Sequence, residues 1–186
     1  MIPVARVPEP GGWPRVEERG NAWLAAHPDR DPHDKPIWRE HVEALARGFG
    51  YRCGWLAMHA FHGQVDHLVP IATSRNRAYE WANLRYADPW INSKKRQFEV
   101  LDPYEVGDDW FELVWPSLEL RMTSAVPIDR REVAARTLRL LGLDHEEEVI
   151  RYRQSWLDSY RNGAPIEVVR DWAPLVARAI ERNKET

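Results

Sequence analysis

The sequence has only one cysteine, Cys53, among its 186 residues. A single thiol cannot close an internal disulfide, which excludes the disulfide-stapled class of secreted domains and favours a cytoplasmic protein. No run of about eighteen apolar residues occurs, so we expect neither a membrane-spanning helix nor a membrane partner. The opening residues, MIPVARVPEP, lack the apolar segment of a signal peptide.

An overall excess of positive charge is also missing, since the formal net charge is −3. The charge is unevenly distributed along the chain. Residues 66–96 carry 6 basic and 3 acidic side chains, a local excess of +3, whereas residues 97–128 carry 1 and 7, a local −6. A nucleic-acid partner is therefore not excluded, but the pattern predicts that it would meet the segment 66–96.

The length suits one compact unit, and the hydrophobic pattern predicts an α+β fold with two β-hairpins flanked by helices. We divide the chain into an N-terminal arm and helix (1–50), a core (51–98), an acidic segment with a hairpin (99–128) and a C-terminal helical region (129–186). The opening of the arm, to about residue 34, is rich in proline, glycine and charge, and we expect it to wrap irregularly over the surface.

In the core, we predict strands over 51–60 and 64–70 that turn at Gly63, then a loop over 77–87 and a helix over 90–98. Later in the chain, alternation predicts a second hairpin from strands over 110–115 and 118–123.

Helices are predicted near both ends of the chain as well. They cover residues 17–26, residues 34–49 from Asp34 onward, and residues 129–142. Two more helices follow. Asp144 and Glu147 predict a capping box for the first of these two. Pro165 begins the last, which Pro174 should kink or break.

The stretch 65–96 carries the chemistry. Asp66 and His67 place a hard metal ligand beside a proton acceptor, and Asn92 offers a second oxygen ligand about two dozen residues later, followed by a cluster of cations. Hydrolysis of a phosphodiester needs such a combination of base, metal ligands and positive charge.

Three patterns in this stretch resemble the HNH nucleases, in which a hairpin and a helix clasp one metal ion. They are Asp-His-x-x-Pro from Asp66, Tyr-Glu-Trp-x-Asn-Leu-Arg from Tyr79, and Asn-x-x-Lys from Asn92. Flanking segments, including Leu-Asp-Pro-Tyr from Leu101, resemble a bacterial branch similar to the nuclease subunit of Septu-type anti-phage systems. The resemblance implies a central ββα-metal motif over 51–98, a metal-dependent DNA endonuclease, and a separate ATPase subunit as partner.

Carried over to this chain, the resemblance makes His67 the general base and Asp66 and Asn92 the metal ligands. It implies that Asn83 pins the connecting loop and so orients His67, and that Lys95 neutralises phosphate charge. The remaining implied nucleic-acid contacts are Arg85, Lys94 and Arg96.

The ligand types indicate which metal is expected. A carboxylate and an amide oxygen form a hard donor set, which favours Mg²⁺ or Mn²⁺ over Zn²⁺. Cys53 has no partner cysteine, and Cys53, His59 and His62 together give little support to a structural zinc. Two other functions stay open: a catalytically silent binding subunit that keeps the HNH fold, and a nuclease toxin.

Overall fold

The computed structural model describes residues 1–184, which form a mixed α+β fold of helices and two small antiparallel hairpins. The helices are α1 (Trp13–Ala26), α2 (Val42–Gly48), α3 (Pro89–Lys95), α4 (Arg131–Leu141), α5 (Glu147–Arg161), α6 (Ile166–Trp172) and α7 (Pro174–Lys184). Strands β1 (Gln64–His67) and β2 (Leu84–Ala87) form one hairpin, and β3 (Phe111–Leu113) and β4 (Leu120–Met122) form the other. The α+β class is thus confirmed, while residues 185–186 of the predicted C-terminal region lie outside the described residues.

The first hairpin pairs β1 with β2, across a connection of sixteen residues. Asp66 lies opposite Arg85, and His67 lies opposite Leu84. The strand predicted over 64–70 is present but ends at His67. The hairpin therefore brings the Asp-His pair next to a strand that the sequence pattern did not reveal.

Two sequence predictions for the core are wrong. Residues 51–60, predicted as a strand, form turns with a single isolated bridge, and positive φ values of 55° at both Tyr51 and Ala57 interrupt an extended conformation. Residues 77–87, predicted as a loop, contain β2. All four residues of β2 are buried, so it lacks the apolar–polar alternation of a half-exposed strand.

Helix α3 follows β2 directly and completes a β-β-α succession. Asp88 caps the helix, since its side chain accepts a hydrogen bond of 2.9 Å from the backbone N–H of Trp90. The helix predicted over 90–98 is thereby confirmed, but it ends at Lys95. The next residue, Arg96, has φ 48° and ψ −121°, a conformation that cannot continue a helix.

The second hairpin and the C-terminal helices agree with the sequence predictions in their positions. Gly142 ends α4 in the left-handed conformation, with φ 63°, and Pro174 separates α6 from α7. The predicted capping box is wrong, because the N-cap of α5 is Glu146 and no side chain caps it. Asp144 instead contacts the ring of its neighbour His145.

The N-terminal arm is irregular over residues 1–12, as predicted, but its helix α1 begins at Trp13, earlier than predicted, and docks on the connection between β1 and β2. The indole of Trp13 donates a hydrogen bond of 3.0 Å to the carbonyl of Tyr79, and the indole of Trp81 donates one of 3.0 Å to the carbonyl of Val7. A Cβ on Gly20 would lie 2.3 Å from the Tyr79 ring, so only glycine permits this approach. The arm is thereby fixed beside the Asp-His pair.

Across residues 1–184, no helix has both the length and the apolar character needed to cross a bilayer.

Candidate active site

One large cavity, of about 1020 Å³, opens beside the end of β1. Four of the sequence-predicted site residues line it: Asp66, His67, Asn92 and Arg96. The N-terminal arm supplies further lining residues, among them His33, Trp38 and Arg39. The cavity is therefore built from three separate segments of the chain, 28–42, 63–75 and 92–97.

His67 lies almost fully buried at the cavity wall, with 7% of its surface exposed. Its Nε2 is 2.9 Å from the carbonyl oxygen of Ala78. Because a carbonyl can only accept, Nε2 carries the proton, and Nδ1 of the neutral ring keeps a free lone pair. Burial lowers the pKa of His67 from 6.5 to about 4, so the ring is neutral at physiological pH. His67 thus has the tautomer and charge of a proton acceptor.

Asp66 is also buried, and its nearest cation is Lys95. The Lys95 ammonium lies 3.4 Å from Oδ1 and 3.2 Å from Oδ2 of Asp66, and donates a shorter hydrogen bond, 2.6 Å, to the His67 carbonyl. Burial raises the pKa of Asp66 from 3.8 to about 6, against the opposing effect of Lys95. Burial therefore outweighs the ion pair in setting the proton affinity of this carboxylate.

Lys95 does not occupy the position that the resemblance implied. Its side chain is fully buried, so its ammonium cannot reach a phosphate at the surface. Its two partners lie on β1, which means that Lys95 ties the end of α3 to the strand that carries the Asp-His pair.

Asn83 is fully buried and holds the connection between the two strands. Its Oδ1 accepts a hydrogen bond of 2.8 Å from the N–H of Val69, and its Nδ2 donates to the carbonyls of Val69, at 3.0 Å, and Arg77, at 3.1 Å. Ala78, the residue after Arg77, supplies the carbonyl that fixes the His67 ring. Asn83 therefore holds the residue next to the one whose carbonyl contacts the His67 ring.

The donor set of the site suits a hard metal ion in its chemistry. Oδ2 of Asp66 is buried and lacks a hydrogen bond, because the ammonium 3.2 Å away does not have hydrogen-bond alignment. Among residues 1–184, the half-buried side chain of Asn92 makes no hydrogen bond, and it lines the same cavity. Asp66, although ion-paired with Lys95, and Asn92 thus bring two oxygen donors without hydrogen bonds to one cavity. Such donors fit Mg²⁺ or Mn²⁺, which would take its remaining ligands from water and phosphate.

Over the described chain, no group of three or more His, Cys, Asp or Glu side chains is arranged to hold a metal. A metal at this site would therefore depend on water and phosphate ligands. For the zinc alternative, burial raises the pKa of the Cys53 thiol to about 11, so this sulfur stays protonated and is a poor ligand. His59 stacks on Trp172 with ring centroids 4.1 Å apart.

Arg85 is not placed to contact nucleic acid, contrary to the sequence prediction. Only 1% of its side chain is exposed. Its guanidinium makes two hydrogen bonds to the carboxylate of Asp102, of 2.7 Å and 2.6 Å, and lies 3.9 Å from the centre of the Tyr104 ring. This bidentate pair fixes β2 to the acidic segment, which is a structural role.

Most of the basic side chains in residues 66–96 do not present an unpaired positive charge at the surface. Four of the six basic residues in 66–96 are buried or paired with a carboxylate: Arg77, Arg85, Lys94 and Lys95. Lys94 pairs with Glu146 and lies over the Trp90 ring, so its predicted phosphate contact competes with this pair. Arg96 alone of the three implied nucleic-acid contacts is exposed and lines the cavity.

Sequence reasoning missed the arm residues that line the cavity, Arg39 and His33 above all. Within residues 1–184, Arg39 makes no side-chain hydrogen bond or ion pair, so its charge is available to a ligand. Arg75 also lines the cavity, but its guanidinium donates to the backbone carbonyls of Leu24, His27 and Arg30. No local pattern marks these residues, because they join the site only through tertiary packing.

No known family model matches the chain, and a search of curated proteins finds no significant match.

Proposed function

We propose that the chain is a metal-dependent endonuclease of the HNH type that acts on DNA in the cytoplasm. The observation that carries the proposal is the state of His67, a neutral imidazole with its Nδ1 unpaired among residues 1–184 and its ring on the wall of a large cavity. Two oxygen donors without hydrogen bonds, from Asp66 and Asn92, line the same cavity. These three residues lie on a β-β-α succession, although its two strands are not the pair that the sequence predicted.

In the proposed reaction, Nδ1 of His67 takes a proton from a water molecule that attacks the phosphorus. Asp66 and Asn92 would hold Mg²⁺ or Mn²⁺, which supplies charge stabilisation at the phosphate and the leaving oxygen. The low pKa of the free His67 ring makes it a weak base, but a bound phosphodiester anion would raise that pKa. Arg39 and Arg96 would neutralise phosphate charge at the rim of the cavity.

Plasmid nicking in Mg²⁺ or Mn²⁺ tests the proposal. His67→Ala should lower the rate by about 10² to 10⁴, the usual effect of losing a general base. The matched control is His62→Ala, because His62 is exposed and does not line the cavity. Wild-type cutting that survives complete metal removal, or cutting by His67→Ala at the wild-type rate, would contradict the proposal.

A second function, a catalytically silent subunit, is favoured by one observation. The Lys95 ammonium already lies beside Asp66 and supplies the positive charge that a metal would otherwise bring. Titration calorimetry with Mn²⁺ separates the two functions, because a silent subunit predicts no metal binding at Asp66. Under the nuclease proposal, Asp66→Asn should abolish the binding heat that the wild-type chain shows.

We extend the proposal to the ATPase partner implied by the resemblance. Only two arginines at the cavity, Arg39 and Arg96, lack a bonding partner among residues 1–184. Because affinity for a nucleic-acid backbone grows with the number of phosphate contacts, the isolated chain should hold DNA weakly at physiological salt. A partner that binds DNA would raise its effective concentration at His67. Co-purification, and cleavage rates with and without the co-purified ATPase, test this.

A further inference from the structure

A second histidine faces the cavity from the N-terminal arm. His33 lies in a short 3₁₀ turn, Pro32–Asp34, capped by Asp31. One carboxylate oxygen of Asp31 accepts a hydrogen bond of 2.8 Å from the backbone N–H of His33 and lies 2.7 Å from its ring Nδ1. The backbone hydrogen bond is the main cause that lowers the pKa of Asp31. An ionised Asp31 only accepts, so Nδ1 of His33 keeps its hydrogen and Nε2 is the ring nitrogen that remains available to a ligand.

The rings of His33 and His67 lie close to each other, and both contact the same tryptophan, Trp38. Their centroids are 6.3 Å apart, with an angle of 77° between the ring planes. Both rings pack edge-on against Trp38, His33 at 5.7 Å and His67 at 4.8 Å. Trp38 is only 3% exposed, so it fixes the two rings relative to each other.

The two imidazoles differ in their surroundings. His67 is nearly buried and has Nε2 committed to a backbone carbonyl, whereas 59% of the His33 side chain is exposed. In-line hydrolysis at phosphorus is helped by a base near the attacking oxygen and by an acid near the leaving oxygen of the same phosphate. Each must come within about 2.6–3.2 Å of its oxygen. Both histidines line the same cavity, so one phosphate held there can lie against both rings, with its attacking oxygen towards His67 and its leaving oxygen towards His33.

We infer that His33 is the general acid of the reaction and that Asp31 is the residue that positions it. The assignment rests on the proposed nuclease function. In the step, the oxygen of water forms a bond to phosphorus while the bond to the leaving oxygen breaks. His67 accepts the proton of the water, and His33 in its protonated form donates one from Nε2 to the leaving oxygen. The products are a phosphate monoester and an alcohol, and solvent exchange restores both histidines.

A leaving group that needs no proton tests this role. The two substrates are a DNA duplex, whose leaving alkoxide needs a proton, and thymidine p-nitrophenyl phosphodiester, whose leaving phenolate is stable without one. His33→Gln should lower kcat/KM for DNA by about 10²-fold or more, mainly through kcat. The factor by which it lowers kcat/KM for the nitrophenyl ester should be at least about ten times smaller. His67→Gln should lower both strongly, since both substrates need the attacking water activated.

Asp31→Asn is the matched variant for the positioning role. It should shift the ratio of the two rates in the same direction as His33→Gln, by a smaller factor. Thermal unfolding of each variant, compared with wild type, separates a catalytic effect from loss of the turn or of packing on Trp38.

The outcomes are distinguishable. Equal fractional losses of His33→Gln on both substrates, or a loss for DNA that lies only in KM, overturn the general-acid assignment and leave the nuclease proposal standing. A wild-type chain that cleaves neither substrate in Mg²⁺ or Mn²⁺ overturns the nuclease proposal, and the role of His33 with it.

Discussion

Replacing His67 by glutamine should make the protein markedly less sensitive to acid. The unfolded chain binds a proton at this imidazole with a pKa near 6.5, whereas burial lowers the pKa in the folded protein to about 4. Between these values the unfolded state therefore holds more protons than the folded state. Stability contributed by the neutral ring is present in full above pH 6.5 and is lost as the pH falls towards 4.

The magnitude follows from the two pKa values. At pH 5 the imidazole of the unfolded chain is mostly protonated, whereas the buried ring is mostly neutral. This difference lowers the free energy of unfolding by about 2 kcal/mol. At pH 7 the corresponding loss is below about 0.2 kcal/mol. Asp66 works in the opposite direction, because its pKa is raised from 3.8 to about 6 in the folded protein. That contribution is shared by wild type and variant, so it cancels in their comparison.

The assay is urea denaturation of wild type and His67→Gln at pH 7 and pH 5. The drop in the free energy of unfolding between these pH values should be about 2 kcal/mol smaller in the variant. His62→Gln, a change at an exposed histidine, should keep the wild-type drop. An equal drop in wild type and His67→Gln would refute the reasoning, because it would mean that His67 is not held neutral by burial.

Four further outcomes follow from single contacts. Asn92→Ala should weaken Mn²⁺ binding, measured by calorimetry, by about tenfold or more, which corresponds to about 1.4 kcal/mol. An unchanged affinity would show that Asn92 is not a metal ligand. Arg85→Met leaves the Asp102 carboxylate unpaired and should lower the free energy of unfolding by about 3–5 kcal/mol, measured in urea. Arg96→Gly should raise it by about 1 kcal/mol, since glycine adopts φ 48° without strain, while DNA affinity falls. Arg39→Ala should reduce the salt slope of DNA binding by about 1, and an unchanged slope would exclude a phosphate contact.

Several elements could be predicted because their signals are local. Helix α3 begins where Asp88 and Pro89 indicate, since an Asp cap and a proline in the first turn act within a few residues. Gly142 and Pro174 likewise mark helix ends through their own backbone preferences. The second hairpin was visible from alternation alone, because one face of each strand is buried and the other is not.

The rest depends on contacts between distant residues. Strand β2 is buried on both faces, so its sequence carries no period of two, and its pairing with β1 depends on a fold that single-sequence patterns do not contain. Lys95 and Arg85 counted as surface cations because charged residues are usually exposed. Their burial follows from one carboxylate partner each, Asp66 and Asp102, and no spacing rule connects those partners.

For the site, the sequence patterns marked candidates on the strand and the helix, and the structure places Asp66, His67 and Asn92 on one cavity. The patterns did not reveal His33 and Arg39, which reach the cavity because the segment that carries them packs on β1, with Trp38 against His67. Residues that complete a site from a separate segment carry no motif of their own. A prediction based on one sequence motif therefore does not identify them.

The side-chain amide of Asn83 has a consequence for motion. By bonding both the N–H and the carbonyl of Val69, it takes the place that a peptide group of a partner strand would fill, and so adds one rung to the ladder beyond His67. That rung depends on a single side chain instead of on the backbone. We expect the amide hydrogen of Val69 to exchange slowly with solvent in the wild-type chain and rapidly in Asn83→Ala. In Asn83→Ala the end of the strand beyond His67 would then fray, and the cavity wall that holds His67 would open from that end.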